Sequence, residues 1–388
     1  MPTVRLAELV ERVPGGRLAT PNDNARILAF FDHAPMQTSS FALLYRRSPD
    51  FFRLLRYQGD RAYVMISVDD RGAVRGLGTI SLRAAWVDGS ATTVGYLGDL
   101  RIGFHRESIA NWRHLFRDVI GRSGEIEEVA DCTHWLTTIL DDNRLARRTL
   151  ASGKVDAPAF VPIAPFTMRN VIARLPFARG RGRSAHWRVR RAEPADADHL
   201  AKFFETENRS IPFGFRDELR RRLSEWDGLT LGDFIIASDG DTIVACTASW
   251  SPSIAKQIMV SQMPMSMRVL ERTSRILPRG GVRIPRAGEP LRVGYLTHLT
   301  FAAGLADGDR LTVFRGMLDR VFDSWPEVDW HCLAFADFAE WQLGRALHGY
   351  IQQTVPITVY AVLPSGSNPE RMRTMSAVAP PGFEMATI

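Results

Sequence analysis

Two phrases hold the residues best placed to do chemistry. "VGYLGDLRIGF" runs from Val94 to Phe104, and "VGYLTHLTFAA" from Val293 to Ala303. Both open as apolar strands, and both then set a titratable side chain at the same place, Asp99 in one and His298 in the other. A strand carboxylate can take up a proton. Asp99 also alternates with Leu97 and Arg101, a spacing that lets it pair with a neighbouring arginine. A histidine titrates near neutrality when solvated, and within an apolar strand it is more often a satisfied core or cleft group. Cys132, Cys246 and Cys332 fall in apolar runs and read as small core hydrophobes rather than nucleophiles. Their odd number and wide spread argue against a disulfide framework and for a reducing compartment. The sequence has no Walker A loop, no HExxH helix and no Cys-x-x-Cys pair, so no metal is expected.

The phrases belong to a longer internal repeat, the feature to seek first in any sequence. "ILAFF" (Ile27–Phe31) answers "LAKFF" (Leu200–Phe204), and the stretch Ala62–Trp86 answers Asp233–Trp250. Cys132 and Cys332 then match, and "APFTMRNVI" (Ala164–Ile172) answers "VPITVYAVL" (Val355–Leu363). Matches in one order imply two homologous halves.

Each half must place its phrase with the same elements. Helices come first, at Ser48–Tyr57 and Asp217–Trp226. Hairpins follow, turning at Asp69-Asp70-Arg71-Gly72 and Asp239-Gly240-Asp241. After the phrase comes a long helix. In the first half Ser108 reads as its N-cap and Gly121 as its stop, with Ile109, Trp112, Leu115, Phe116, Val119 and Ile120 on one stripe. The second half repeats the stripe with Leu311, Phe314, Met317, Leu318, Val321 and Phe322. A strand, a short helix (Asn143–Ala151; Glu340–His348) and a final strand close each half. The methionine-rich stretch Gln257–Leu270 reads as an inserted helix packed on the sheet.

The chain has 388 residues, 45% hydrophobic and 24% charged, with net charge +6 and a pI near 9.5. These are values of an ordinary globular protein. The opening residues lack a signal-peptide pattern and no uncharged stretch is long enough to span a bilayer, so a cytoplasmic protein with no membrane partner is expected. Ala178–Pro194 carries six arginines. It reads as a solvated linker running into a strand rather than a phosphate-tracking arm, and no nucleic-acid partner is expected.

"YLGDLRI" running into a helix resembles the central strand and coenzyme helix of the GNAT N-acetyltransferase superfamily, and the resemblance covers both halves. It implies a mixed α/β fold of two tandem GNAT-like domains, each a mixed sheet flanked by helices. The expected boundaries are residues 1–172, a linker 173–187, residues 188–364 and a tail 365–388. The activity implied is N-acyl transfer from acetyl-coenzyme A or another acyl-coenzyme A, as substrate, to a small-molecule or peptide amine, with the chemistry in the first half. Leu100, Arg101 and Ile102 would follow the pantetheine arm with their backbone. The family's Arg/Gln-x-x-Gly-x-Gly/Ala loop would bring the pyrophosphate to the helix N-terminus. Here Arg106 holds the basic position, while Ile109 and Asn111 stand at the glycine positions and Ser108 caps the helix. The second half has Leu305, Gly308 and Arg310 at those places, so both loops are degenerate.

In many family members a tyrosine on the late helix protonates the coenzyme thiolate. Asn143 and Ala146 keep its surrounding pattern, but Leu150 stands in its place. In the second half, His348 and Tyr350 are near that position but out of register. Asp99 is the expected amine-deprotonating base, and His298 its positional counterpart. Two other readings remain open: a GNAT-like pseudoenzyme acting as scaffold or acyl-coenzyme sensor, and a Fem-like transferase using aminoacyl-tRNA.

Overall fold

The computed structural model describes residues 3–32, 36–37, 42–103, 106–150, 157–178, 180, 186–216, 218–262, 285, 288–325, 327–376 and 379–388. In the first half the elements are α1 (Leu6–Val10), β1 (Gly16–Leu18), α2 (Asn24–Asp32), β2 (Met36–Gln37), β3 (Ala42–Arg46), α3 (Arg53–Gln58), β4 (Arg61–Val68), β5 (Val74–Val87), β6 (Ser90–Ile102), α4 (Arg106–Gly121), β7 (Cys132–Leu140), α5 (Arg144–Leu150) and β8 (Ala159–Arg174). The second half repeats the order with β9 (Arg188–Arg191), α6 (Ala197–Ser210), β10 (Gly214–Phe215), α7 (Glu218–Glu225), β11 (Phe234–Asp239), β12 (Thr242–Trp250), β13 (Gln257–Gln262), β14 (Pro290–Leu291), β15 (Val293–Phe301), α8 (Asp307–Asp323), β16 (Cys332–Phe338), β17 (Tyr350–Leu363) and α9 (Glu370–Ser376).

The hairpin turns form where the sequence places them. The Asp69 carboxylate accepts from the Arg71 and Ala73 amides, and Gly72 takes the left-handed φ of 75° that the turn needs. α4 buries Trp112, Leu115, Val119 and Ile120. α8 buries Val313, Phe314, Met317, Leu318, Val321 and Phe322. Both stripes therefore cover the sheet as their periodicity requires.

One sheet joins the halves, in the order β1-β4-β5-β6-β7-β17-β8-β16-β15-β12-β11-β9. The last strands are exchanged: β17 lies between β7 and β8, and β8 lies beside β16. β3 also crosses over to pair with β13, and β10 to pair with β5. Aromatic packing seals the joint, with the Trp226 and Trp250 rings 4.4 Å apart and Tyr57 against both. The Asp227 carboxylate accepts from the Tyr57 hydroxyl and, at 2.9 Å, from Arg53.

Several local expectations shift. The first half's α3 starts only at Arg53, because Asp50 caps a preceding turn through the Phe52 amide. α4 starts at Arg106, so Ser108 lies inside the first turn rather than capping it, and Gly121 is the last helical residue. The second half's late helix is a short 3-10 turn, Leu343–Leu347. Gln257–Gln262 is a strand paired to β3 instead of the start of a helix, and the rest of the methionine-rich stretch lies outside the described residues. The two cysteines are not equivalent by register. Val94 faces His134, whereas Val293 faces Cys332, because a register shift next to Thr93 moves Cys132 out of line.

Candidate active site

The repeated "VGYL" has a packing cause. A Cβ on Gly95 would stand 2.4 Å from the Trp135 ring, and one on Gly294 would stand 2.2 Å from Trp330. Each glycine makes room for an indole, and the two indoles come from different positions in the halves.

Beyond the glycines both central strands bulge at the same step. Leu77 faces Arg101 and Thr79 faces Gly98, so Asp99 and Leu100 together oppose Gly78 alone. Cys246 faces Thr300 and Ala248 faces Thr297, so His298 and Leu299 oppose Thr247. Asp99 and His298 both take a left-handed φ, of 51° and 55°. Non-glycine residues seldom hold that conformation, and bulges of this kind re-aim side chains and unpair backbone. The parallel partners stop pairing just before the bulge, at Tyr96 with Leu136 and at Tyr295 with Ala334. A cleft thus opens between β6 and β7, and another between β15 and β16. Thr137 bridges the start of the first, its hydroxyl donating to the Leu97 carbonyl at 2.8 Å.

Around the first bulge the side chains form an ionic knot. Arg47 donates to the Asp99 carboxylate at 2.6 Å, and the Thr79 hydroxyl donates to the same oxygen at 3.3 Å. The Arg47 guanidinium is buried over the faces of Phe31, Tyr45 and Phe51. Lys256 lies nearby over Tyr295 and donates to the Ala386 and Ile388 oxygens. Burial, and then repulsion from Arg47, lower the Lys256 pKa to about 7.

The second bulge is closed. The His298 ring packs among Phe204, Trp226 and Phe234, and burial with the adjacent Arg222 pushes its pKa well below the ordinary value. A neutral imidazole with Arg222 at 3.4 Å from Nε2 carries its proton on Nδ1, which donates to the Thr297 hydroxyl at 3.0 Å. The His298 amide donates to the Glu384 carboxylate at 3.1 Å, and Arg222 donates to the same oxygen at 3.2 Å.

The expected site residues separate accordingly. The structure brings Asp99, Leu100, Arg101 and Ile102 to the first bulge, with the Arg101 guanidinium turned back over Phe31 and donating to its carbonyl. Arg106, Ser108 and Asn111 open α4, although the Arg106 side chain lies outside the described residues. Asn143 caps α5 by accepting from the Ala146 amide at 3.0 Å, a structural use of its side chain. Gly308 is the second residue of α8, with open space where a Cβ would stand. His298 is buried on β15, with β7, β17, β8 and β16 between it and Asp99 on β6 in the sheet order. Sequence reasoning missed Arg47, Lys256, Arg222 and Glu384. Nothing in the repeat marks them: Arg47 and Arg222 meet the bulges of their own halves from non-matching positions, Lys256 sits just before β13, and Glu384 comes from the tail.

The helix N-termini differ in charge. α4 carries one acid, Glu107, in its first turn, whereas α8 carries Asp307 and Asp309. Carboxylates there complement the helix dipole and oppose a diphosphate. All three cysteines are buried, and burial pushes each thiol up to about 12, which leaves none as a nucleophile. Among the described residues no His/Cys/Asp/Glu group has the makings of a metal site, and no helix is long and apolar enough to cross a membrane.

A bulged, splayed central strand running into a helix, present twice, has counterparts among solved structures. A fungal multi-domain GH3 β-N-acetylglucosaminidase with a GCN5-related glucosamine N-acetyltransferase region matches at TM-score 0.58 and 12% identity, over 89% of this chain and 38% of that one. This chain therefore spans well under half the length of that protein. Saccharomyces cerevisiae N-myristoyltransferase with bound myristoyl-CoA matches at 0.55 and 10% identity, over 92% of this chain and 86% of the yeast one. A GCN5-related N-acetyltransferase from Sphaerobacter thermophilus matches at 0.52 and 12%, over 91% and 96%. The chain has the tandem GNAT fold. No protein-family model and no curated protein sequence matches it. At these identities the likeness is one of fold, and a GNAT fold by itself fixes neither donor nor acceptor.

Proposed function

We propose that the first GNAT half moves an acyl group from acyl-coenzyme A to the amine of a small molecule or peptide. The observation that carries this reading is the contrast between the bulges. Among the described residues no side-chain carboxylate meets the Asp99 amide, whereas Glu384 occupies the corresponding amide of His298. A bulge amide that no side-chain carboxylate occupies can polarise a thioester carbonyl. The backbone of Leu100, Arg101 and Ile102 then runs along the pantetheine arm. Arg106, with Ser108 and Asn111, receives the pyrophosphate at a helix start that carries a single acid. Asp99 takes the amine proton. The yeast N-myristoyltransferase structure, with its bound myristoyl-CoA, supports the donor class.

Thermal unfolding against acetyl-coenzyme A and longer acyl-coenzymes tests the donor. Saturation at about a hundred times Kd adds roughly 2.7 kcal/mol to the stability of the binding state. The expected result is a clear rise in Tm that Arg106→Glu abolishes, with Asp99→Asn lowering turnover and leaving the Tm shift intact. No shift with any acyl-coenzyme overturns the reading. Ile109 and Asn111, at positions where glycines would let backbone approach phosphate, favour a second reading as a GNAT-like pseudoenzyme acting as a scaffold. That reading gives neither the Tm shift nor turnover of any amine.

A further inference from the structure

We propose that the cleft of the second half is a receptor for the chain's own residues 381–385, which it recognises through the Glu384 carboxylate. The tail enters where a donor would lie. Its glutamate accepts from the His298 bulge amide at 3.1 Å and from Arg222 at 3.2 Å, both deeply buried. Arg222 is itself fixed over the faces of Phe215 and Trp226, so the carboxylate meets a preformed cation. The bulge thus offers one backbone donor, as in the first half, but here a peptide side chain fills it.

The neighbouring tail residues are held just as specifically. The Gly382 amide donates to the Pro212 carbonyl at 2.7 Å, and Arg83 from the first half donates to the Gly382 carbonyl at 2.8 Å. A Cβ on Gly382 would come within 2.3 Å of the Phe213 carbonyl oxygen, so only glycine passes there. The Phe383 ring packs against Phe166 and Phe338, which also touch each other. Space remains beside the tail, bordered by Phe204, Leu299, Thr300 and Trp341. From Glu384 the chain continues to the first half, where Gln58 donates to the Thr387 carbonyl, while Lys256 of the second half donates to the Ala386 oxygen. The tail therefore ties one half's cleft to the other half's ionic knot. The ligand chemistry of the second half is an extended peptide, with glycine and an aromatic residue preceding a carboxylate.

The test uses the full chain with Glu384→Ala and, as the milder change, Glu384→Gln. Amide hydrogen exchange should show residues 382–388 losing protection at least about a hundredfold in Glu384→Ala, with β7 and β8 unchanged and the Gln variant in between. A labelled synthetic peptide of residues 380–388 should then bind the Glu384→Ala chain, fail to bind the unaltered chain, and lose binding when the peptide itself carries Ala at 384. Tail amides that stay as protected in Glu384→Ala as in the unaltered chain overturn the proposal. So does equal binding of the two peptides, which would mean that the aromatic contacts alone hold the tail. Acyl-coenzyme Tm shifts measured on the unaltered chain, whose second cleft is filled, report on the first half separately: their absence removes the donor reading and leaves the tail result standing.

Discussion

The two bulges share a backbone and differ in where the negative charge comes from. In the first half the bulge residue supplies it: Asp99 faces Arg47, which follows β3 and lies buried over three aromatic rings. In the second half the bulge residue is a neutral, buried histidine, and the carboxylate arrives from the far end of the chain as Glu384. Its arginine, Arg222, is again set against aromatic rings. Each half thus keeps a buried arginine–carboxylate pair at the bulge, with the charge carried by unrelated residues. The duplicated backbone has been held more tightly than the side chains, because register and pleat constrain a bulge while several routes can bring a carboxylate to it. The consequence is functional: one carboxylate belongs to the strand lining its cleft, and the other fills the cleft.

The sharpest way to break this comparison is to remove one partner of the first pair. Arg47 and Asp99 have side-chain exposures of 2% and 10%. Arg47→Met leaves Asp99 buried and unpaired and should cost about 3–5 kcal/mol in equilibrium denaturation. Adding Asp99→Asn to that variant should return much of the loss. Strict additivity of the two changes would show that the pair is not coupled and that the resemblance to Arg222–Glu384 is only geometric.

A smaller effect separates the first knot from the second by pH. Lys256 has a folded pKa of about 7 against an ordinary 10.5. Between those values the unfolded chain binds more protons, so this group's contribution to stability rises with pH. It is complete above 10.5 and is lost as pH falls through 7. The slope from this one group reaches at most about 1.4 kcal/mol per pH unit. Lys256→Met should flatten urea-unfolding stability between pH 7 and 10, and an unchanged slope would remove Lys256 as its source. His298 adds nothing in that window, since its pKa already lies well below 6.5.

How much of this was legible in the sequence follows from what constrains each part. The helix–hairpin–strand–helix order could be read because the stripes of α4 and α8 and the turn at Asp69–Gly72 are local patterns with local causes. Asp99 and His298 could be singled out because the repeat aligns them. Arg47 and Arg222 were invisible because they stand at non-matching positions of their own halves, and Glu384 because it comes from a tail with no counterpart in the first half. The N-cap assigned to Ser108 failed because the helix starts two residues earlier, where no capping pattern announces it. Pairing Cys132 with Cys332 failed because a register shift beside Thr93 leaves no mark in composition.

The smallest effect sharpens the comparison most finely. Asp307 and Asp309 in the first turn of α8 complement its dipole, each worth about 0.3–1 kcal/mol. Asp307→Asn with Asp309→Asn should therefore lower stability slightly, read as a modest drop in Tm, and should also remove the charge that repels a diphosphate. If charge at the helix alone separates the halves, the double variant gains a second equivalent of acyl-coenzyme in calorimetric titration. The contact between Glu384 and the His298 amide argues for the opposite result, because the carbonyl-polarising position stays filled whatever the helix carries. The expected stoichiometry is unchanged from the parent chain, and a second equivalent should appear only when Glu384→Ala is added.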